Sequence, residues 1–205
     1  MRVAILSESP ADETALRIIV DAVLCVKTTA VDLPSLRSRG WPSVRNILGV
    51  IIKTLHYKTE AEGLIVVADS NHSSVIEPSQ KNRLYELNAI VERTLLALKP
   101  VSGRVPLRVA IGIASPAIEA WWLCKQHGEV TEASWENGLK NQTDPYSKGV
   151  LKQWLYGVDM PSISLETERM TQAATELAME TAFLESRFPN GFGSLAKQLR
   201  AWRQF

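Results

Sequence analysis

Three short apolar runs constrain this chain more than any other feature: Val3-Ala4-Ile5-Leu6, Leu64-Ile65-Val66-Val67-Ala68 and Val109-Ala110-Ile111-Gly112-Ile113. A strand that is apolar at every position must be covered on both faces, which is the condition of a parallel sheet lying between helices. The segments between the runs are long enough to supply those helices. Ser9-Pro10-Ala11-Asp12 reads as a helix start, with Ser9 as N-cap, Pro10 at the first helical position and Asp12 in the first turn, and the helix runs to about residue 25. The Thr- and Val-rich stretch Val26 to Val31 reads as a second strand, and a helix from Pro42 or Ser43 ends near Leu55.

Gly63 opens the most strand-like segment, and Asp69 to Gln80 reads as a loop leading to a helix that ends near Lys99. Val101 to Pro106 reads as a turn, Leu107 to Ile113 as a strand, and Pro116 as the opening of a helix through Ile118, Ala120, Trp121 and Leu123. After about residue 130 the strands stop. Segments 147–156, 165–187 and 192–203 read as helices, with Asn190-Gly191 as the break before the last. The expected fold class is therefore α/β: a mainly parallel sheet flanked by helices in residues 1–130, with a helical extension over 131–205 packed on it.

Each of the three apolar runs leads into an acid. Glu8 follows the first, Asp69 ends the second, and Glu119 lies just beyond the third. Ligands of open α/β sheets bind in the crevice outside the carboxyl ends of the strands, so three acids delivered there can form one site. Converging carboxylates with no matching cations beside them in sequence suit a hard divalent cation, Mg²⁺ or Mn²⁺. Each acid also has a simpler reading: Glu8 favours the positive end of the following helix, Asp69 begins a turn with Ser70 and Asn71, and Glu119 is a first-turn residue open to solvent. Against these stand the position of Asp69 at the end of five apolar residues, the alternation that lets residues 69 and 71 point at one ligand, and the tryptophans beside Glu119.

Lys148, in Pro145-Tyr146-Ser147-Lys148-Gly149, could balance a buried acid or contact a phosphate as a point charge. Arg37, Arg39 and Arg45 with Trp41 form a basic and aromatic mixture suited to a phosphate backbone, or a solvated helix face. Lys+Arg 23 against Asp+Glu 22 leaves the formal charge at +1, so any nucleic-acid contact falls to such a local patch. His56, His72 and His127 lack paired metal-ligand spacing, which disfavours zinc. There is no Gly-rich phosphate loop, serine nucleophile elbow or Cys-x-x-Cys pair. Cys25 and Cys124 sit in apolar helical stretches and are expected to be buried free thiols of a reducing compartment. Without a leader-like start or a membrane-length apolar run, a soluble cytoplasmic protein is expected.

The strand-glutamate step Leu6-Ser7-Glu8 and the strand ending in Val67-Ala68-Asp69-Ser70-Asn71 resemble the Toprim domain of topoisomerases, primases and overcoming-lysogenization-defect nucleases. Ile118-Glu119-Ala120-Trp121, Ser147-Lys148 and Phe188-Pro189-Asn190-Gly191-Phe192 look like a group of small stand-alone, Toprim-like bacterial proteins of uncharacterised function. The resemblance implies a four-stranded, mainly parallel sheet in which Glu8 and Asp69 match the catalytic acids that hold Mg²⁺. Glu119 and Lys148 correspond to further acidic and basic positions of the nuclease branch. An ATPase partner and a role in defence against phage or plasmids are also implied. Asn71 departs from the pattern, because it stands where the Asp-x-Asp triplet has its second acid.

Two functions follow. One is a metal-dependent nuclease in which Glu8, Asp69 and Glu119, with Asn71 as a neutral ligand, hold the cation and Lys148 stabilises phosphate charge. The alternative is a non-catalytic partner subunit, with tryptophans such as Trp121, Trp122, Trp135, Trp154 and Trp202 serving as core or as interface anchors. A phosphatase or nucleotide-binding protein of generic doubly wound type is a third reading.

Overall fold

The computed structural model describes residues 1–33, 40–76 and 82–204. Arg37 and Arg39 lie outside the described residues, as does the end of the loop expected to reach Gln80. Among the described residues four strands form one sheet: β1 (Arg2–Leu6), β2 (Thr29–Ala30), β3 (Gly63–Asp69) and β4 (Arg108–Ala114). The order is β2-β1-β3-β4 and every pair is parallel. Leu6 stands beside Val66 and Asp69 beside Ala114, so the carboxyl ends of β1, β3 and β4 share one edge.

The apolar runs work as two-sided strands. Val3, Ile5, Ile65, Val67, Ala110 and Ala114 join one core. The intervening Ala4, Leu6, Leu64, Val66, Ala68, Ile111 and Ile113 join the other. That alternation is the period of two along a pleated strand, with both faces buried. On the second face lie α2 (Trp41–Lys58) and α3 (Arg83–Leu96). On the first lie α1 (Pro10–Leu24) and helices from beyond residue 130: α7 (Ile163–Ala178) packs along α1, and α9 (Phe192–Ala201) packs on β4 and α1. The later helices thus share one core with the sheet.

Gly112 of β4 allows that close approach. A Cβ there would stand 2.9 Å from Leu195 Cδ2 and 3.3 Å from Trp121, so any side chain would push α9 off the sheet. The ends of α1 follow local rules. Ser9 and Asp12 form a capping box, in which Ala11 N–H donates to Ser9 Oγ (3.3 Å) and Ser9 N–H to Asp12 Oδ2 (3.0 Å).

Several expectations are corrected. Only Thr29 and Ala30 of the stretch Val26 to Val31 pair as strand, at an exposed edge. The third apolar run leads to a short α4 (Glu119–Leu123) that begins three residues after Pro116, not at it. The stretch 165–187 is two helices, α7 and α8 (Thr181–Arg187), and the step at Met179 and Glu180 turns α8 onto α9. Cys25 is exposed at the left-handed C-cap of α1 (φ 50°), where the chain has already left the apolar helix. Cys124 is buried, and burial pushes its thiol up to about 12. A further helix, α5 (Glu132–Asn141), precedes α6 (Lys148–Tyr156). Its buried face carries Glu132 and Glu136, so it lacks an apolar stripe.

Candidate functional site

Where the first and second apolar runs end, Glu8 crosses from β1 to β3. Its Oε1 accepts Asp69 N–H at 3.1 Å and Arg83 Nη1 at 3.1 Å. Arg83, the first residue of α3, also donates to the Asp69 carbonyl (2.6 Å), and its guanidinium lies 4.6 Å over the Trp41 ring. Trp41 therefore supports Arg83 through a cation–π contact. Gly40 N–H donates to the Glu8 carbonyl (3.3 Å), drawing the start of α2 over the same edge.

Asp69 has both oxygens engaged. Oδ1 accepts Ile118 N–H (3.0 Å) and Oδ2 accepts Lys148 Nζ (2.6 Å). Glu119 opens α4 and is 6 % exposed, with Tyr156 Oη donating to its Oε1 at 3.4 Å. Asp12 is 7 % exposed, so the capping acid of α1 is also a buried acid of this edge.

Glu8, Asp12, Asp69, Glu119, Lys148 and Tyr156 line one cavity of about 260 Å³. Five carboxylates face it, from Glu8, Asp12, Asp69, Glu119 and Glu166, against the ammonium groups of Lys148 and Lys152. Burial, with this imbalance behind it, raises proton affinity. Burial first and the charge of Asp69 second raise Glu8. Burial, then Asp69 and Glu119, hold Asp12 well above the usual carboxylate range. Burial and Asp69 push Glu119 up to about 7 despite Lys152 and Lys148. Desolvation lowers Arg83 from its ordinary value, against the pull of Glu8 and Asp69.

The cavity thus brings together Glu8, Asp69, Glu119 and Lys148. It does not include Asn71. That residue turns through a left-handed conformation (φ 52°), donates its N–H to the Pro116 carbonyl (2.9 Å), and lines a neighbouring cavity with His72 and Trp135. Lys148 borders both. The positive φ breaks the strand alternation on which a shared ligand for residues 69 and 71 depended.

In donor chemistry the larger acid cluster suits a hard divalent cation, because it offers oxygen ligands and its carboxyl groups outnumber the cations beside them. In geometry, among the described residues no three His, Cys, Asp or Glu side chains are gathered as a metal-holding group. Both oxygens of Asp69 and one oxygen of each of Glu8 and Glu119 are engaged by internal donors. A bound ion would compete with Lys148 for Asp69 Oδ2.

Sequence reasoning missed Arg83, Lys152, Tyr156 and Glu166 as site residues and took Asp12 only as a helix-start acid. One signal was available: Lys148, Lys152 and Tyr156 fall at i, i+4 and i+8, one face of a helix. The motif Phe188 to Phe192 proves to be a packing device. Glu132, 1 % exposed, accepts Asn190 N–H (3.0 Å), Asn190 Nδ2 (2.7 Å) and Gly191 N–H (2.7 Å). Glu136 does the same for the loop after β3, accepting from Ser74 Oγ (2.6 Å) and Val75 N–H (2.8 Å). Trp121, Trp122 and Trp135 are core residues, whereas Trp154 is exposed and stacks on His127 at 4.2 Å. Among the described residues no helix is long and apolar enough to cross a membrane.

Comparison with protein-family models, curated proteins and solved structures finds no match to this chain.

Proposed function

We propose that this chain is a metal-dependent nuclease of the Toprim type that acts on nucleic-acid phosphodiesters. The observation that carries the reading is the acid-rich cavity at the carboxyl edge of β1, β3 and β4, five carboxylates against two lysines. Glu8, Asp69 and Glu119 are the residues that would hold Mg²⁺ or Mn²⁺, and such an ion supplies Lewis-acid polarisation of a phosphoryl oxygen and a more acidic water. Lys148, freed from Asp69, offers a point charge to a phosphate oxygen. Arg83 keeps Glu8 oriented through the bond to its Oε1 and is itself fixed by Trp41. Tyr156 does likewise for Glu119. A cytoplasmic location belongs to the same proposal, as do an ATPase partner and a role in defence, which rest on the resemblance alone.

The second reading, a non-catalytic binding subunit, is favoured by the internal pairing of Asp69 with Lys148 and of Glu8 with Arg83. Calorimetric titration with Mn²⁺, run beside cleavage of labelled DNA and RNA, separates the two. The nuclease reading expects saturable binding and metal-dependent cleavage, both lost in Asp69→Ala. Folded protein that neither binds Mn²⁺ nor cuts any polymer leaves only the binding subunit.

A further inference from the structure

A further concavity lies on the other side of α2 and α3 from the sheet. It is a groove of about 830 Å³ between the two helices. Both begin at the edge that carries the acidic cavity: Gly40, just before α2, bonds to Glu8, and Arg83, the first residue of α3, bonds to Glu8 and Asp69. The groove wall starts within one helical turn of Arg83, at Tyr85 and Glu86.

Its charge is opposite to that of the cavity. Arg45, Lys53 and Arg93 line it against one acid, Glu86, which Arg45 Nε engages at 2.5 Å. Arg45 and Lys53 are eight residues apart on α2, about 12 Å along the groove. Tyr85 is 52 % exposed on the wall. Of the remaining large apolar side chains only Val50 is widely exposed, and the helices approach closely at Gly49, where a Cβ would meet Thr94 Oγ1 at 3.3 Å.

We propose that this groove binds a single-stranded polynucleotide and leads it toward the acidic cavity. The inference takes the phosphodiester reading of that cavity for its endpoint. A row of cations beside an accessible aromatic ring is the recipe for a strand whose phosphates follow the charges while a base stacks on the ring. An acidic protein helix fits less well. It would need a broad apolar seat, and Gly49, Ala89 and Ala97 offer little surface. The separation of signs also has a use: a polyanion repelled by the carboxylates gains its affinity on the neighbouring face and reaches the cavity without having to bind there first.

The test is fluorescence anisotropy of a labelled oligothymidine strand with the full chain in EDTA, so that no cleavage intervenes. With Arg45 held by Glu86, the two remaining cations, Lys53 and Arg93, predict a salt slope near about −1.4, or about a sevenfold loss of affinity between about 50 and 200 mM salt. In Lys53→Ala/Arg93→Ala that salt dependence nearly vanishes, to a loss of about twofold or less. Tyr85→Ala weakens binding about fivefold or more with the slope unchanged. The proposal is overturned if the double variant keeps the parent affinity and slope. It is equally overturned if a duplex of the same length binds more tightly, or if labelled poly-L-glutamate binds as tightly as the strand, which would make the groove a seat for acidic polypeptide. Cleavage of the small diester bis(p-nitrophenyl) phosphate with Mn²⁺ tests the cavity separately. It should be unaffected in Lys53→Ala/Arg93→Ala, and its absence in the parent protein alongside normal strand binding sinks the cavity reading only.

Discussion

Replacing Glu119 by Gln should stabilise the metal-free protein at alkaline pH and leave it nearly unchanged in acid. Glu119 is buried beside Asp69, and its proton affinity rises from the ordinary 4.5 to about 7. Between those values the folded protein binds more protons than the unfolded chain, so stability falls as pH rises across the window and levels off above about 7. The span of about two and a half pH units, at about 1.36 kcal/mol each, makes ionised Glu119 cost about 3 kcal/mol. Glutamine keeps the shape and the oxygen that accepts from Tyr156, but carries no charge. Urea unfolding in EDTA should therefore show Glu119→Gln more stable by about 3 kcal/mol near pH 8, a rise of about 6–12 °C in Tm, and by less than about 0.5 kcal/mol near pH 4.5. Equal differences at the two pH values, or a loss of stability at pH 8, would refute the claim that burial and Asp69 dominate this carboxylate.

Two further predictions concern the scaffold. Glu132→Ala removes the acceptor of two backbone N–H groups and the Asn190 amide, and should cost about 3 kcal/mol in urea unfolding at neutral pH; a cost below about 1 kcal/mol would mean that the turn finds another acceptor. Gly191→Ala would set a Cβ 2.3 Å from the Ile113 carbonyl oxygen, a backbone atom that cannot swing aside. We expect a loss of about 3 kcal/mol or more, and a thermal melt unchanged within about 2 °C would show that the turn can shift freely against β4.

The cavity acids illustrate how far one dimension of information reaches. Glu8, Asp69 and Glu119 were legible because they follow buried strands, and the topology of a parallel sheet carries such positions to one edge. Asn71 was misread because residues 69 and 71 share a direction only while the chain stays extended, and it leaves the strand by a left-handed turn. Asp12 looked like an ordinary capping acid, and it is one. Its burial beside Asp69 and Glu119 adds a charge that local pattern could not reveal.

What the order of residues determined by itself is the layered α/β plan. Apolar runs of strand length, capped helix starts and a fixed alternation of side-chain direction are local properties, and they suffice to require a parallel sheet between helices. What tertiary structure alone decided is the balance of charge at the sheet edge. The two lysines and the fifth acid that complete the cavity come from α6 and α7, and the arginine that holds Glu8 from α3, all far along the chain; whether a carboxylate there is paired, repelled or protonated depends on distance and desolvation. The same cause explains α5, whose buried glutamates make a stable face only because the turns they bind are brought to them by the rest of the fold.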